Sequence, residues 1–184
     1  MGAAAVGKRE RTKQANRAAI LAAAREAFVE IGYGAATVRD IIRRTDLASG
    51  TFYNYFPDKE SVFRALLEET AREAAGRAHA ARIAGGTAEA FVLDGFRAYF
   101  AMLVEDRATF ELVRRNAGTI RAMFDVPAIV AGIAELADDL RDGVAAGLVP
   151  DHDTDLMAAA MFGTAFEVGV RLLEEDPPDV ERAA

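Results

Sequence analysis

The chain has 184 residues, 52% of them hydrophobic, with no cysteine and a formal charge of −7. That length buries a sizeable core as one large domain or two small ones. The lack of cysteine excludes a disulfide framework and any thiolate metal site, as expected of a cytoplasmic protein. Charge is uneven: up to Lys59, ten Lys/Arg stand against six Asp/Glu, a net of +4 that leaves −11 for the remainder. A basic N-terminal segment on an acidic body keeps a nucleic-acid partner open.

The opening residues carry no apolar stretch long enough for a signal peptide. The longest apolar run, Leu156 to Leu173, is interrupted by Thr164, Glu167 and Arg171. It reads as a buried helix and implies no membrane partner.

In chain order nearly everything reads as helix, since no stretch alternates with period two for long enough to make a strand. A first helix is predicted from about Thr12 to Gly32, with Ile20, Ala24, Ala27, Phe28 and Ile31 on one face and Gly32 and Gly34 as its stop. Thr37 with Asp40 forms a capping box for a short helix to about Arg44. A turn over Thr45 to Ala48 leads to a second short helix, about Ser49 to Tyr55, which Pro57 ends. Asp58 caps a long helix reaching about residue 84. Beyond Gly85 and Gly86, helices are predicted near 88 to 105, 107 to 117, 119 to 125, 127 to 146 and 154 to 175, with caps at Thr87, Asp106, Thr119, Asp125 and Asp153 or Thr154.

Two short helices joined by a tight turn and held against a longer one make a helix-turn-helix. Val38, Ile41, Ile42, Leu47, Phe52 and Phe56 can close its core with Phe28, Ile31, Val62, Phe63 and Leu66. Phe52 and Phe56, four apart, then face inward. Ser49, Gly50, Thr51, Tyr53, Asn54 and Tyr55 fall mostly on the other side, where small groups admit a helix to a major groove and hydroxyls and an amide can bind base edges or phosphates.

The stretch TVRDIIRRTDLASGTFYNYFPDKESVFRALL, preceded by ILAAAREAFVEIGYGAA, resembles the DNA-binding domain of the tetracycline-repressor (TetR) family of transcriptional regulators. The resemblance covers about residues 14 to 68. It implies that Thr37 contacts a phosphate, that Arg39 can reach a base edge, and that Ser49, Gly50 and Thr51 open the recognition helix. Tyr53 and Tyr55 then resemble its phosphate and thymine-methyl contacts, and Lys59 the phosphate-binding lysine. Two positions depart from the pattern. Asp46 replaces the turn glycine, and Ala48 replaces the usual capping serine, leaving open whether Ser49 caps the helix or contacts a base.

Enzyme motifs do not assemble. Gly2 to Lys8 fits seven positions of a phosphate loop, but Arg9 fails the eighth and no strand precedes it. His79 and His152 lack ligand spacing, and adjacent carboxylates such as Asp138 with Asp139 point apart and read as solvated charge. No catalytic residue, metal or cofactor is expected.

The fold expected is all-α, with a flexible basic arm at 1–11, a helix-turn-helix domain at 12–58 and a connecting helix at 59–84. An effector-binding and dimerisation domain at 85–176 and a flexible tail at 177–184 complete it. In the second half, aromatics and methionines predict an adaptable apolar pocket, with Phe96, Tyr99, Phe100, Leu103, Phe110, Met123, Phe162 and Phe166 as lining and Arg114 as a polar group; Asn116, Arg121 and Glu167 are further polar candidates. Small residues on the last long helices predict a homodimer face of Gly132, Ala159, Gly163, Phe166 and Val170. The resulting reading is a ligand-responsive regulator, a repressor, binding a palindromic double-stranded operator as a homodimer and released by a small, apolar or amphipathic effector. A non-specific architectural DNA binder and a helical protein-interaction adaptor are the alternatives.

Overall fold

The computed structural model describes the backbone of residues 2–184 and the side chains from residue 9 onward. Among the described residues there are nine α-helices and no strand, and none of the helices is long and apolar enough to cross a membrane. The chain divides into two compact units, Met1–Leu66 and Leu67–Ala184.

In the first unit, α1 (Gly2–Ala35) is interrupted at Gly32, whose φ of 79° is open to glycine and strained for other residues. The helix begins well before Thr12, so the backbone expected as a flexible arm is its first turns; Met1 and the side chains of residues 2–6 and 8 lie outside the described residues. Ile20, Ala24, Ala27 and Phe28 form its buried face, as the spacing predicts. α2 (Val38–Ile42) starts on the predicted capping box. Asp40 N donates to Thr37 Oγ1 at 3.3 Å, and Thr37 N donates to Asp40 Oδ2 at 2.9 Å. α3 (Ser49–Tyr53) ends two residues earlier than predicted, with Asn54 as C-cap. α4 (Lys59–Ala84) opens on Asp58, whose Oδ1 accepts from Ser61 N at 2.7 Å. Phe28, Phe52 and Phe63 are the largest fully buried side chains here, with Phe28 and Phe63 edge to face at 5.1 Å.

In the second unit, the rest of α4 is followed by α5 (Ala88–Glu105), α6 (Arg107–Arg121), α7 (Pro127–Ala145), α8 (Thr154–Leu172) and α9 (Val180–Ala183). Thr87, Asp106 and Asp153 cap as predicted, but the N-cap of α7 is Val126 rather than Asp125, with Pro127 entering at the first turn. The helices predicted over 107–117 and 119–125 meet at a kink inside α6, one residue before the expected end of the first, and the second ends at Arg121 instead of 125. The chain bends at Asn116 (φ −116°, ψ 16°), and its buried Nδ2 donates to Leu112 O at 2.8 Å, satisfying a carbonyl beside the bend. In the tail expected to be flexible, Asp179 caps a short helix, α9, and Arg97 Nε of α5 donates to Glu181 Oε1 at 2.9 Å.

Candidate nucleic-acid interface and internal cavity

The amphipathic split of α3 is complete. Phe52 is 1% exposed and Phe56 6%, whereas Tyr53 between them is 58% exposed and stands edge to face on Phe52 at 5.4 Å. Ser49, Gly50 and Asn54 are exposed beside it, Thr51 and Tyr55 half-buried. The N-cap position belongs to Ala48 and carries no side-chain bond, so Ser49 does not cap α3. Nor does Asp46 take a left-handed conformation in the glycine's place: no described non-glycine residue has positive φ. The turn is held by Thr45, whose Oγ1 donates to Ile42 O at 2.9 Å and accepts from Leu47 N at 3.2 Å.

Three of the nine expected contact residues are tied into the frame. Thr37 commits both donors to Asp40 Oδ2, the hydroxyl at 2.5 Å, and this bond is the main cause holding the Asp40 carboxyl below its ordinary pKa. Tyr55 accepts at its hydroxyl from Asn16 Nδ2 at 3.3 Å, joining α1 to the end of α3. Lys59 departs most from expectation. Its Nζ donates to Tyr33 O at 2.8 Å, Gly34 O at 3.3 Å and Ala36 O at 2.9 Å, and lies 4.6 Å from the centre of the Tyr33 ring. An ammonium has three donors. All three are spent on the carbonyls at the end of α1, so Lys59 caps that helix instead of reaching outward. Arg39 and Arg43 are exposed on α2 and its C-cap.

Residues 20–66 match the family model for bacterial regulatory proteins of the tetR family. The N-terminal unit belongs to the tetR family. A 56-residue segment of the chain is 43% identical to the HTH-type transcriptional repressor AcnR of Corynebacterium glutamicum, covering 30% of this chain and 30% of that protein. The match therefore spans about a third of the length of the curated relatives. The whole chain resembles solved structures at the level of fold. FadR from Bacillus halodurans, a fatty acid degradation regulator, has a TM-score of 0.74 at 23% identity over 91% of this chain and 89% of its own. FadR from Bacillus subtilis, in complex with stearoyl-CoA, has a TM-score of 0.73 at 23% identity over 89% and 91%.

Following this tetR-family domain, the second unit holds an apolar cavity of about 150 Å³, partly open to solvent. Five of the nine expected lining residues are on its wall: Phe96, Tyr99, Leu103, Phe162 and Phe166. Phe100 is fully buried behind them, stacked on Phe96 at 5.9 Å. Met123 is buried elsewhere, Phe110 is half-buried off the wall, and Arg114 faces solvent, paired with Glu111 at 2.7 Å. Asn116, Arg121 and Glu167 are also off the wall. Arg121 Nε donates to Glu167 Oε1 at 2.6 Å, which holds that carboxyl below its usual range. Phe124 is also on the wall and packs edge to face on Phe162 and Phe166 at 5.1 and 5.0 Å.

What sequence reasoning missed is the wall supplied by α4. Thr70, Ala71, Ala74, Ala75, Ala78 and Arg82 recur at three- and four-residue spacing along it. The signal was present as a stripe of small residues, but alanine also reads as plain helix propensity. Burial pushes the Tyr99 phenol pKa up, so it stays a neutral donor, and Thr70 Oγ1 is buried without a hydrogen-bond partner. Asp139, expected as solvated charge, is instead buried, bonded to Arg82 and to His79 Nδ1 at 2.9 Å.

The expected dimer residues separate into two groups. Gly132 lies against Ala75 of α4, where an added Cβ would sit 3.3 Å from the alanine methyl, and Phe166 is buried on the cavity wall. Phe166 is closed to a partner, whereas Gly132 is half-buried. Ala159 is exposed, Val170 half-buried, and an added Cβ at Gly163 meets nothing within 4 Å. On the same two helices Val130 is 53% and Leu156 70% exposed.

Proposed function

We propose that this chain is a DNA-binding transcriptional regulator, a repressor acting as a homodimer in the cytoplasm, and that a small apolar or amphipathic effector in the α4–α8 cavity lowers its operator affinity. The observation that carries the reading is the two-sided α3. Phe52 and Phe56 are sequestered while Ser49, Gly50, Asn54 and most of Tyr53 stand outward, with Tyr53 touching Phe52 by one ring edge-to-face contact. We assign base and phosphate contact to these four with Arg39 and Thr51, and the framing of the helix to Thr37, Tyr55 and Lys59.

A reader of this size gains specificity by pairing on two half-sites about 34–36 Å apart. The exposed small and apolar side of α7 and α8, with Val130, Leu156, Ala159 and Gly163, suits that pairing because close helix approach needs small side chains. Coupling is assigned to α4, which contributes residues to both units. An effector that binds one dimer geometry better than another shifts the population away from the operator-competent one.

Selection of bound sequences from a random duplex pool at near-physiological salt tests this. Recovery of a palindrome, lost with Tyr53→Ala in a folded protein, is the expected result. Salt-sensitive binding without enrichment would instead support an architectural DNA binder, and no binding a protein-interaction adaptor.

A further inference from the structure

The first turns of α1 change character at Ile20. That residue is 1% exposed, whereas residues 9–15 and 17–19 are all exposed and Asn16 is half-buried. Arg9 lies about 16 Å ahead of Ile20 along the helix axis. Over that length no side chain is buried, and a helix without a packed face gains nothing from tertiary burial and is marginal by itself. From Arg9 to Arg17 the sequence sets four basic residues against one acidic, Glu10. These positions lie ahead of residues 20–66, the tetR-family segment.

The charge has a direction. Successive residues turn by about 100°, so Arg9 and Arg17 fall about 40° to either side of Lys13, and the core residues Ile20, Ala24 and Ala27 fall within the same arc. The face of α1 that packs into the helix-turn-helix therefore continues beyond it as a basic edge. Arg11 stands about 160° from Lys13, on the opposite side. Two contacts fix where the edge begins. Asn16 Nδ2 donates to the Tyr55 hydroxyl at 3.3 Å, and the Arg17 guanidinium carbon lies 5.7 Å from the centre of the Phe56 ring. Both partners follow closely on Tyr53, the last residue of α3, so the edge starts beside the end of the outward-facing helix.

We propose that Arg9 and Lys13 bind phosphates of the DNA backbone on the flank of each half-site, beyond the stretch met by α3. This rests on the DNA-binding reading. The two residues are about 6 Å apart along the helix axis, and each strand offers a phosphate about every 3.4 Å of duplex, so one backbone can supply both partners. A chain of net charge −7 is repelled by DNA as a whole, which makes a local concentration of positive charge at the edge the more consequential. Phosphate contacts fix position and carry no base information, so this flank adds affinity and leaves the sequence choice to α2 and α3.

Fluorescence anisotropy of the full chain would use the duplex recovered by the random-pool selection, extended by about one helical turn at each end, and a scrambled duplex of equal length, over a series of salt concentrations. Arg9→Gln with Lys13→Gln should make the slope of log K on log salt shallower by about 1.8 per protomer, which at about 0.15 M salt corresponds to about thirtyfold per protomer. The loss should be equal on the two duplexes. Arg11→Gln, on the opposite side, should leave the slope unchanged, and Arg9→Lys with Lys13→Arg should preserve it. Circular dichroism and the urea midpoint should match the parent in every variant, since all three side chains are exposed.

An unchanged slope in the double glutamine variant, in a protein that still selects a palindrome and loses it with Tyr53→Ala, would overturn the flank contact and leave the DNA-binding reading standing. An equal loss from Arg11→Gln would also overturn it, because net charge alone would then account for the effect. A loss confined to the selected duplex would replace phosphate contact by base contact and refute the assignment. If the parent binds neither duplex, the DNA-binding reading falls and the flank contact with it.

Discussion

Lys59 offers the sharpest test of how the reading head is built. Lys59→Met keeps the stem and removes the ammonium, stripping the carbonyls of Tyr33, Gly34 and Ala36 of their shared donor. Hydrogen bonds to a charged group net about 1.5–3 kcal/mol each. The simple sum is an overestimate here, because Gly34 is exposed and water can replace part of what is lost. A destabilisation of about 2 kcal/mol is expected. Urea unfolding followed by circular dichroism measures it, and hydrogen exchange should place the loss at the α1 end and α3. Operator affinity against salt supplies the counter-test, since a lysine that neutralises a phosphate contributes about 0.9 to the slope of log K on log salt. The slope should be unchanged. A variant as stable as the parent, with a slope smaller by about 0.9, would refute the capping role and restore Lys59 as a phosphate ligand.

Three further outcomes follow from the same geometry. Phe52→Ala empties a fully buried ring site and should cost about 3–5 kcal/mol in chemical unfolding, with operator binding lost alongside. Gly163→Glu enters open space on α8, so it should leave the helical signal unchanged while halving the mass seen in sedimentation, because like charges would meet across the twofold axis of the proposed dimer. Asp40 is held below its ordinary pKa by Thr37; its stabilising share is therefore present above the unfolded value and disappears as pH falls through the lower folded one. Melting curves of Asp40→Asn and the parent should differ near neutrality, begin to draw together as pH falls below about 4 and coincide only below the lower folded value.

The sequence disclosed most where one residue type has one physical use. The Thr37–Asp40 box, the Asp58 cap and the Phe52/Phe56 spacing are local rules, and the structure places all three as predicted. It disclosed least where a side chain's partner is distant in the chain. Lys59 meets carbonyls 23 to 26 positions away, and Asp139 meets Arg82 57 positions away; neither leaves a periodic trace. Glycines were similarly ambiguous. Gly132 was expected to admit a second subunit, yet it lies against Ala75 of α4, whose methyl an added Cβ would approach to 3.3 Å. Small residues announce close approach without naming what approaches.

The alanine stripe of α4 has a consequence for any attempt to harden this protein. Alanine is the best helix former, so the helix gives up no local propensity in leaving its wall bare. Larger apolar residues at Ala71, Ala74 or Ala78 would fill empty space, and filling a void is one of the commonest routes to a more heat-resistant protein. Such substitutions should therefore rise readily in a screen for thermal endurance alone. On the proposed effector reading each would also occupy the room for the signal, so the toughest variants are expected to be the deafest, clinging to DNA whatever the surroundings contain.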